Sequence, residues 1–228
     1  MIRVRKIGWR LSLLALLWVP TAYGATMEVC TVDSPCTLGG LISSGGSFQS
    51  ADMSITFSNF EAIATGALAS IPLTDIAIVQ TASGLGLDLI GGLSAQDGEI
   101  GDLLIRYDVS AMAPLLQANL TFNGEAFGVG AGASVIETFG SLPTQGFVFV
   151  TGGGGLVRND TVQLGGLQSF RVTSDIILDS SLLAGGLGGS ADISLITEDF
   201  DAVPVPEPGT AFLLLLGLGG MAVARRAR

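Results

Sequence analysis

Apolar and polar residues alternate along much of this chain. Leu103, Ile105, Tyr107 and Val109 interleave with Asp102, Arg106, Asp108 and Ser110, with Leu104 the one break. Leu116, Ala118, Leu120 and Phe122 interleave with Gln117, Asn119, Thr121 and Asn123. Met53, Ile55 and Phe57 repeat the pattern, as do Leu85, Leu87 and Leu89, and Phe170 with Val172. A period of two with one apolar face predicts half-buried antiparallel strands. Gly146-Phe-Val-Phe-Val150 is apolar at both phases, which predicts a central strand buried on both faces. Glycines at Gly91-Gly92, Gly124, Gly152 to Gly155, Gly165-Gly166 and Gly185-Gly186 read as turns between the runs. About eight to ten short strands joined in this way predict an all-β fold, an antiparallel β-sandwich of jelly-roll type. No sustained helical period is visible in this part of the chain.

The two ends follow other rules. Arg3, Arg5, Lys6 and Arg10 precede an apolar run from Leu11 to Val19, then Pro20 and the small residues Ala22 and Gly24. That order predicts a secretory signal peptide, residues 1–24, cleaved after Gly24. The run is far shorter than the ~20 residues of a spanning helix. At the other end, 16 apolar residues run from Gly209 to Ala224 and are followed by Arg225, Arg226 and Arg228. As a helix this run would rise about 24 Å, against a hydrocarbon core of ~30 Å. It is a marginal permanent anchor, with its arginines held on the cytoplasmic side. Before it stand Pro204, Pro206 and Pro208, which cannot donate backbone hydrogen bonds and keep their neighbours extended. An extended recognition segment, a short span and terminal charges follow the logic of a sorting signal removed after translocation.

Pro206-Glu207-Pro208, the apolar span and Arg225-Arg226 together resemble the PEP-CTERM sorting signal. The resemblance covers 203–228 and implies an exosortase as processing partner, the inner membrane as a transient station, and a destination at the cell surface or in the extracellular matrix. A second resemblance lies inside the β-rich part. Thr37-Leu-Gly-Gly-Leu-Ile-Ser-Ser-Gly-Gly-Ser-Phe48, Ile55-Thr-Phe-Ser-Asn-Phe60, Arg106-Tyr-Asp-Val-Ser110 and Ala133-Ser-Val-Ile-Glu-Thr138 look like segments of a group of exosortase-dependent surface proteins. It implies a shared fold and carries over no catalytic residues.

What remains, residues 25–202, is long enough for one domain with a sizeable core. Residues 25–205 hold nineteen acidic side chains against Arg106, Arg158 and Arg171, with no Lys and no His. Phosphate-backbone binding needs clustered bases, which excludes nucleic acid as a partner. Acidic polysaccharides and anionic lipid surfaces are repelled unless divalent cations bridge them. Cys30 and Cys36 are the only cysteines; an even pair in an oxidising compartment predicts a disulfide.

Candidate chemistry is sparse. Without His or Lys the usual nucleophile–base pairs are absent, and no serine sits in Gly-x-Ser-x-Gly. Paired carboxylates remain: Asp97, Glu99 and Asp102 in one stretch, Asp175 with Asp179, and Glu137 within an apolar strand where burial would raise its pKa. Aromatics for stacking sugars are few, since Trp9, Trp18 and Tyr23 fall in the signal peptide. The expectation is therefore no enzyme and no cofactor, with calcium as the alternative ligand at Asp97, Glu99 and Asp102 or in Glu198-Asp-Phe-Asp201, where oxygen-rich loops would suit a hard cation. The leading reading is a structural or adhesive surface protein, within secreted polysaccharide or biofilm. Its rivals are a calcium-dependent carbohydrate or surface binder and a carboxylate-based glycan hydrolase.

Overall fold

A computed structural model describes residues 27–28, 30–31, 33–50, 53–181 and 188–203. The expected signal peptide and the sorting segment, with Pro206, Glu207, Pro208, Arg225 and Arg226, lie outside the described residues, as do Gly185-Gly186. In chain order the elements are β1 (Met27–Glu28), β2 (Cys36–Thr37), α1 (Leu38–Ser44), β3 (Ser47–Gln49), β4 (Ile55–Gly66), β5 (Ala77–Gln80), β6 (Gly86–Gln96), β7 (Ile100–Phe127), β8 (Gly132–Phe139), β9 (Gln145–Thr151), β10 (Leu156–Val157), β11 (Asn159–Asp179) and β12 (Ser190–Ala202). All ladders are antiparallel except the short one between β1 and β3.

Two strands organise the rest. The 28 residues of β7 and the 21 of β11 form one antiparallel ribbon, with Ile100 opposite Asp179 and Thr121 opposite Asn159. Its ladder breaks only around Leu115 and Leu167. There Pro114 has no N–H to donate, and Gly165 and Gly166 take φ of 64° and 87°, a region that excludes most side chains. The ribbon folds back on itself at this point. Both of its ends accordingly meet at one pole: Ser180 N donates to the carbonyl of Glu99 at 3.0 Å, and Asp97 N donates to that of Gly189 at 3.1 Å, one residue before β12. Each half of the ribbon seeds a layer. The first half of β7 and the second half of β11 are flanked by β4 with β3 on one side and by β8, β9 and β10 on the other. The second half of β7 carries β12, β6, β5 and β2. A two-stranded ribbon wrapped into facing layers is the jelly-roll form of the β-sandwich, so the expected fold class is the one adopted.

The interior lies between the layers. Phe57 on β4 meets Phe200 on β12 at 6.1 Å, and Phe170 on β11 meets Phe200 at 5.9 Å. The alternation Leu103, Ile105, Tyr107, Val109 points inward throughout. Past the fold the phase shifts: Leu115 is fully buried and Leu116 is 46% exposed, so the inward set is Leu115, Ala118, Leu120 and Phe122. The expected inward role of Leu116 passes to its neighbour because the irregular ladder at Leu115 inserts one residue. Met53 also departs from expectation. It precedes β4, has a positive φ of 59°, and is exposed.

The strands are longer than expected, because several glycines read as turns lie within ladders. Gly91-Gly92 sits in β6 beside a register shift, and Gly124 sits in β7 opposite Ile193. The one α-helix among the described residues escaped the sequence pattern. It is only seven residues long, with Thr37 Oγ1 accepting from Gly40 N at 3.0 Å as its N-cap, and it buries only Leu38 and Leu41. Cys30 and Cys36 form the expected disulfide, Cα to Cα 5.0 Å. It is joined to β5, where Cys36 lies opposite Ile78 and the Cys30 carbonyl accepts from Gln80 N at 3.0 Å.

Candidate functional site

The outer face of the first layer gathers most of the chemistry. The register places Phe147, Ile136, Asp175, Leu104 and Ile63 in one row across β9, β8, β11, β7 and β4. Phe149, Ser134, Ile177, Asp102 and Thr65 form the adjacent row. Aromatic rings therefore stand at one margin and carboxyl groups near the middle.

Phe147 and Phe149 were expected inside a central strand. Instead β9 is the last long strand of its layer, with only the two residues of β10 beyond it. Its inner face is Gly146 and Val148; its outer face is Phe147, 40% exposed, and half-buried Phe149. The two rings lie 5.2 Å apart at 21°. The strand is fixed from beneath and from its edge. Gly146 leaves room for Leu120 and Val162 of the second layer, whose side chains lie 3.3 and 3.5 Å from where a Cβ would stand. The N–H of Phe147 donates to Asp160 Oδ2 at 2.9 Å, capping an edge position that β10 does not reach. Beside the rings runs a groove of about 460 Å³, lined by Gly130, Ser134, Phe147, Phe149, Ile177 and Asp179 among others. Between the lining residues Thr151 and Gly153, Gly152 passes so close to Gly128 that a Cβ would lie 1.9 Å from the Gly128 carbonyl oxygen. The signal for this margin was present in the sequence as two phenylalanines two apart, but two apolar phases say nothing about which one faces solvent.

The acidic residues regroup. Asp97 sits in the β6–β7 turn with φ of 55°, and the backbone carbonyl of Glu99 accepts from Ser180. Asp102 leaves that turn for the sheet face, where it hydrogen-bonds with Asp175. Burial chiefly, and then the neighbouring Asp102, raise the Asp175 pKa above the usual carboxylate range. Asp175 and Asp179 share the face but stand four residues apart on one strand, about 13 Å by strand rise. Asp179 instead accepts from Ser181 N and Oγ at 2.9 and 2.8 Å. Among the described residues no three His, Cys, Asp or Glu side chains converge at a distance that would hold a metal. Further along the face, Arg171 Nε and Nη2 donate to Asp108 at 2.8 and 3.3 Å, and its guanidinium approaches Glu61 at 3.8 Å. The hydrogen bond from Arg171 holds the Asp108 carboxyl below its ordinary range.

Two carboxyl groups point into the core. Glu137 is buried in β8, where desolvation pushes its pKa up to about 7 against the opposing hydrogen bond from Ser174. Glu198 was expected in a loop with Asp199 and Asp201; it lies instead in β12, fully buried, with neither carboxyl oxygen hydrogen-bonded among the described residues. Desolvation, then the charge of Asp199, raises its pKa well above the ordinary value. Burial without a hydrogen-bond partner favours the neutral acid over the carboxylate.

The strand architecture and the tail place the protein in the class of exported all-β sandwiches with a sorting signal. Residues 204–228 match the PEP-CTERM protein-sorting motif. The chain thus carries a PEP-CTERM sorting motif, which implies export and processing by an exosortase system. No curated protein matches it in sequence. Among solved structures it is similar to TmCBM61 in complex with β-1,4-galactotriose, at 10% identity and a TM-score of 0.31 over 62% of this chain and 88% of that one. It is also similar to the enzymatically active domain of bacteriophage CBA120 tailspike protein 4, at 12% identity and a TM-score of 0.29 over 63% of this chain and 19% of that one.

Proposed function

We propose that this protein is a non-catalytic structural or adhesive component of the cell surface or extracellular matrix, freed of its signal peptide and processed at its sorting segment by an exosortase. The observation that carries the reading is a polarity of the domain. Val203 leaves the sandwich where its N–H bonds the Pro114 carbonyl at 2.9 Å, at the pole where the ribbon folds. The groove beside Phe147 includes Gly130 and Asp179 and so lies toward the other pole, where Ser190 pairs with Phe127. Between these poles β12 spans about 40 Å at ~3.3 Å per residue. A chain held by its C-terminal side presents that groove outward.

Two geometric facts support the absence of catalysis. Asp102 and Asp175 are in hydrogen-bond contact, closer than the ~5 Å that retaining glycosidases keep between their carboxyls. Asp175 and Asp179, at about 13 Å, are farther apart than the ~9.5 Å of inverting ones. The calcium-dependent rival places the ion at Asp97, Glu99 and Asp102, and a melting temperature that rises with millimolar calcium would favour it.

The test is the intact mass of the protein from its native host, together with its accessibility to protease on whole cells. Loss of residues 1–24 and of the segment beyond about Pro208, with surface exposure, is expected. Persistence of the chain through Arg228 in the inner-membrane fraction would overturn the reading.

A further inference from the structure

We propose that the groove along Phe147 and Phe149 is a subsite for a neutral polysaccharide, seating the apolar face of a sugar ring against the stacked pair. The inference rests on the surface role proposed above and adds the chemistry of the contact.

Four observations converge on this margin. The two rings stack on one strand, 5.2 Å apart and within 21° of parallel, so they brace each other and together form one rigid apolar wall of the groove. Pyranose rings carry apolar surfaces on the side where their C–H bonds point, and aromatic faces with a few placed polar groups are the usual means of holding ligands of mixed polarity. The rings are held before any ligand arrives, by the packing under Gly146 and by Asp160 on the Phe147 N–H, so little ordering is needed on binding. The groove wall adds hydroxyls at Ser134 and Thr151, a carboxyl at Asp179 and exposed glycine backbone at Gly153, which are partners for sugar hydroxyls. Among the described residues no basic side chain lines it.

Charge selects among occupants. Residues 25–205 carry nineteen acidic and three basic side chains, so a polyanion is repelled and so is a second copy of this chain. A neutral glycan escapes that penalty. The alternative of a second copy seated on the exposed Phe127 and Val129 nearby is an outcome of the test.

The experiment is affinity electrophoresis of the processed protein through gels containing a neutral β-galactan, a neutral β-glucan or polygalacturonate, with sedimentation velocity of the same samples. Retardation by a neutral polymer and none by polygalacturonate is expected. Phe147→Ala should weaken that retardation about tenfold or more, as loss of a central aromatic anchor does. Leu116→Ala, on the opposite layer, should leave it unchanged. Absence of retardation by any neutral polymer, or equal retardation of Phe147→Ala, would overturn the proposal. So would a dimer in sedimentation that Phe147→Ala abolishes, since the groove would then belong to a second copy. These failures leave mass and location untouched, and so are separable from a failure of the surface reading.

Discussion

Phe57 and Phe200 face each other at 6.1 Å between ring centroids, although the strands that carry them share no ladder. Phe57 hangs from the first half of β7 through β4, and Phe200 from the second half through β12. Their contact exists only because the ribbon is folded. Phe48 stacks on Phe57 at 4.7 Å and Phe170 meets Phe200 at 5.9 Å, so the pair ties both layers into one cluster.

Phe200→Ala should therefore destabilise the domain by about 3–5 kcal/mol, the cost of a large aromatic removed from a packed core. Phe147→Ala, at a partly exposed position, should lower stability far less. Urea unfolding of the two variants checks the contrast, and similar midpoints would refute the assignment of the core.

Stability should fall as the pH rises from 4.5 to about 7. Glu137 binds its proton more tightly in the folded state, with a pKa raised from 4.5 to about 7, so the native form is favoured most below 4.5 and loses that advantage as the pH climbs through the folded value. The contribution is about 3 kcal/mol across that window. Glu198 acts in the same direction. Glu137→Gln should flatten the profile of melting temperature against pH. Parallel profiles for variant and parent would rule the mechanism out.

Asp175→Asn should raise the melting temperature slightly at pH 7 and not at pH 3. The amide keeps a hydrogen bond to Asp102 while removing the Asp175 charge, and at pH 3 the raised pKa of Asp175 leaves it already protonated, so the substitution removes no charge there. At this solvent-facing site the gain should stay below about 1 kcal/mol. Calorimetry at the two pH values decides it; a loss at pH 7 would mean that the pair needs both carboxyls.

Replacing Cys30 and Cys36 together with Ser should cost about 2 kcal/mol, the chain-entropy value for so short a loop. The loss should be felt first at β2 and β5, the edge that the disulfide joins. Hydrogen exchange of Ile78 and Gln80 amides is the measurement, with early loss of protection expected there and not in β11.

Much of this architecture was legible in the alternation itself. Leu103, Ile105, Tyr107 and Val109 point inward as their period requires, and so do Ala118, Leu120 and Phe122. The sequence failed where two adjacent residues were equally apolar. Leu115 and Leu116 differ only by a ladder irregularity, and Phe147 and Val148 only by which side of an outer strand meets the core. Glycine misled in the same way, since a residue that permits a turn also permits a bulge inside a strand, as at Gly91-Gly92. The site was less legible than the fold. Asp102 and Asp175 lie far apart in sequence and meet only through the register of β7 with β11, while Glu198 looked like loop chemistry because Asp199 and Asp201 stand beside it. Adjacent charges in a strand point to opposite sides, and one of them has to enter the interior.

The exit of the chain at Val203 has a mechanical consequence. It continues β12, which is bonded to β7 along one side and β6 along the other. A pull on that end runs along the strand axis and loads both ladders in shear, so their bonds resist as a set. The same force applied at right angles to an edge strand would open bonds one after another. A pull through an interior strand therefore meets many bonds at once.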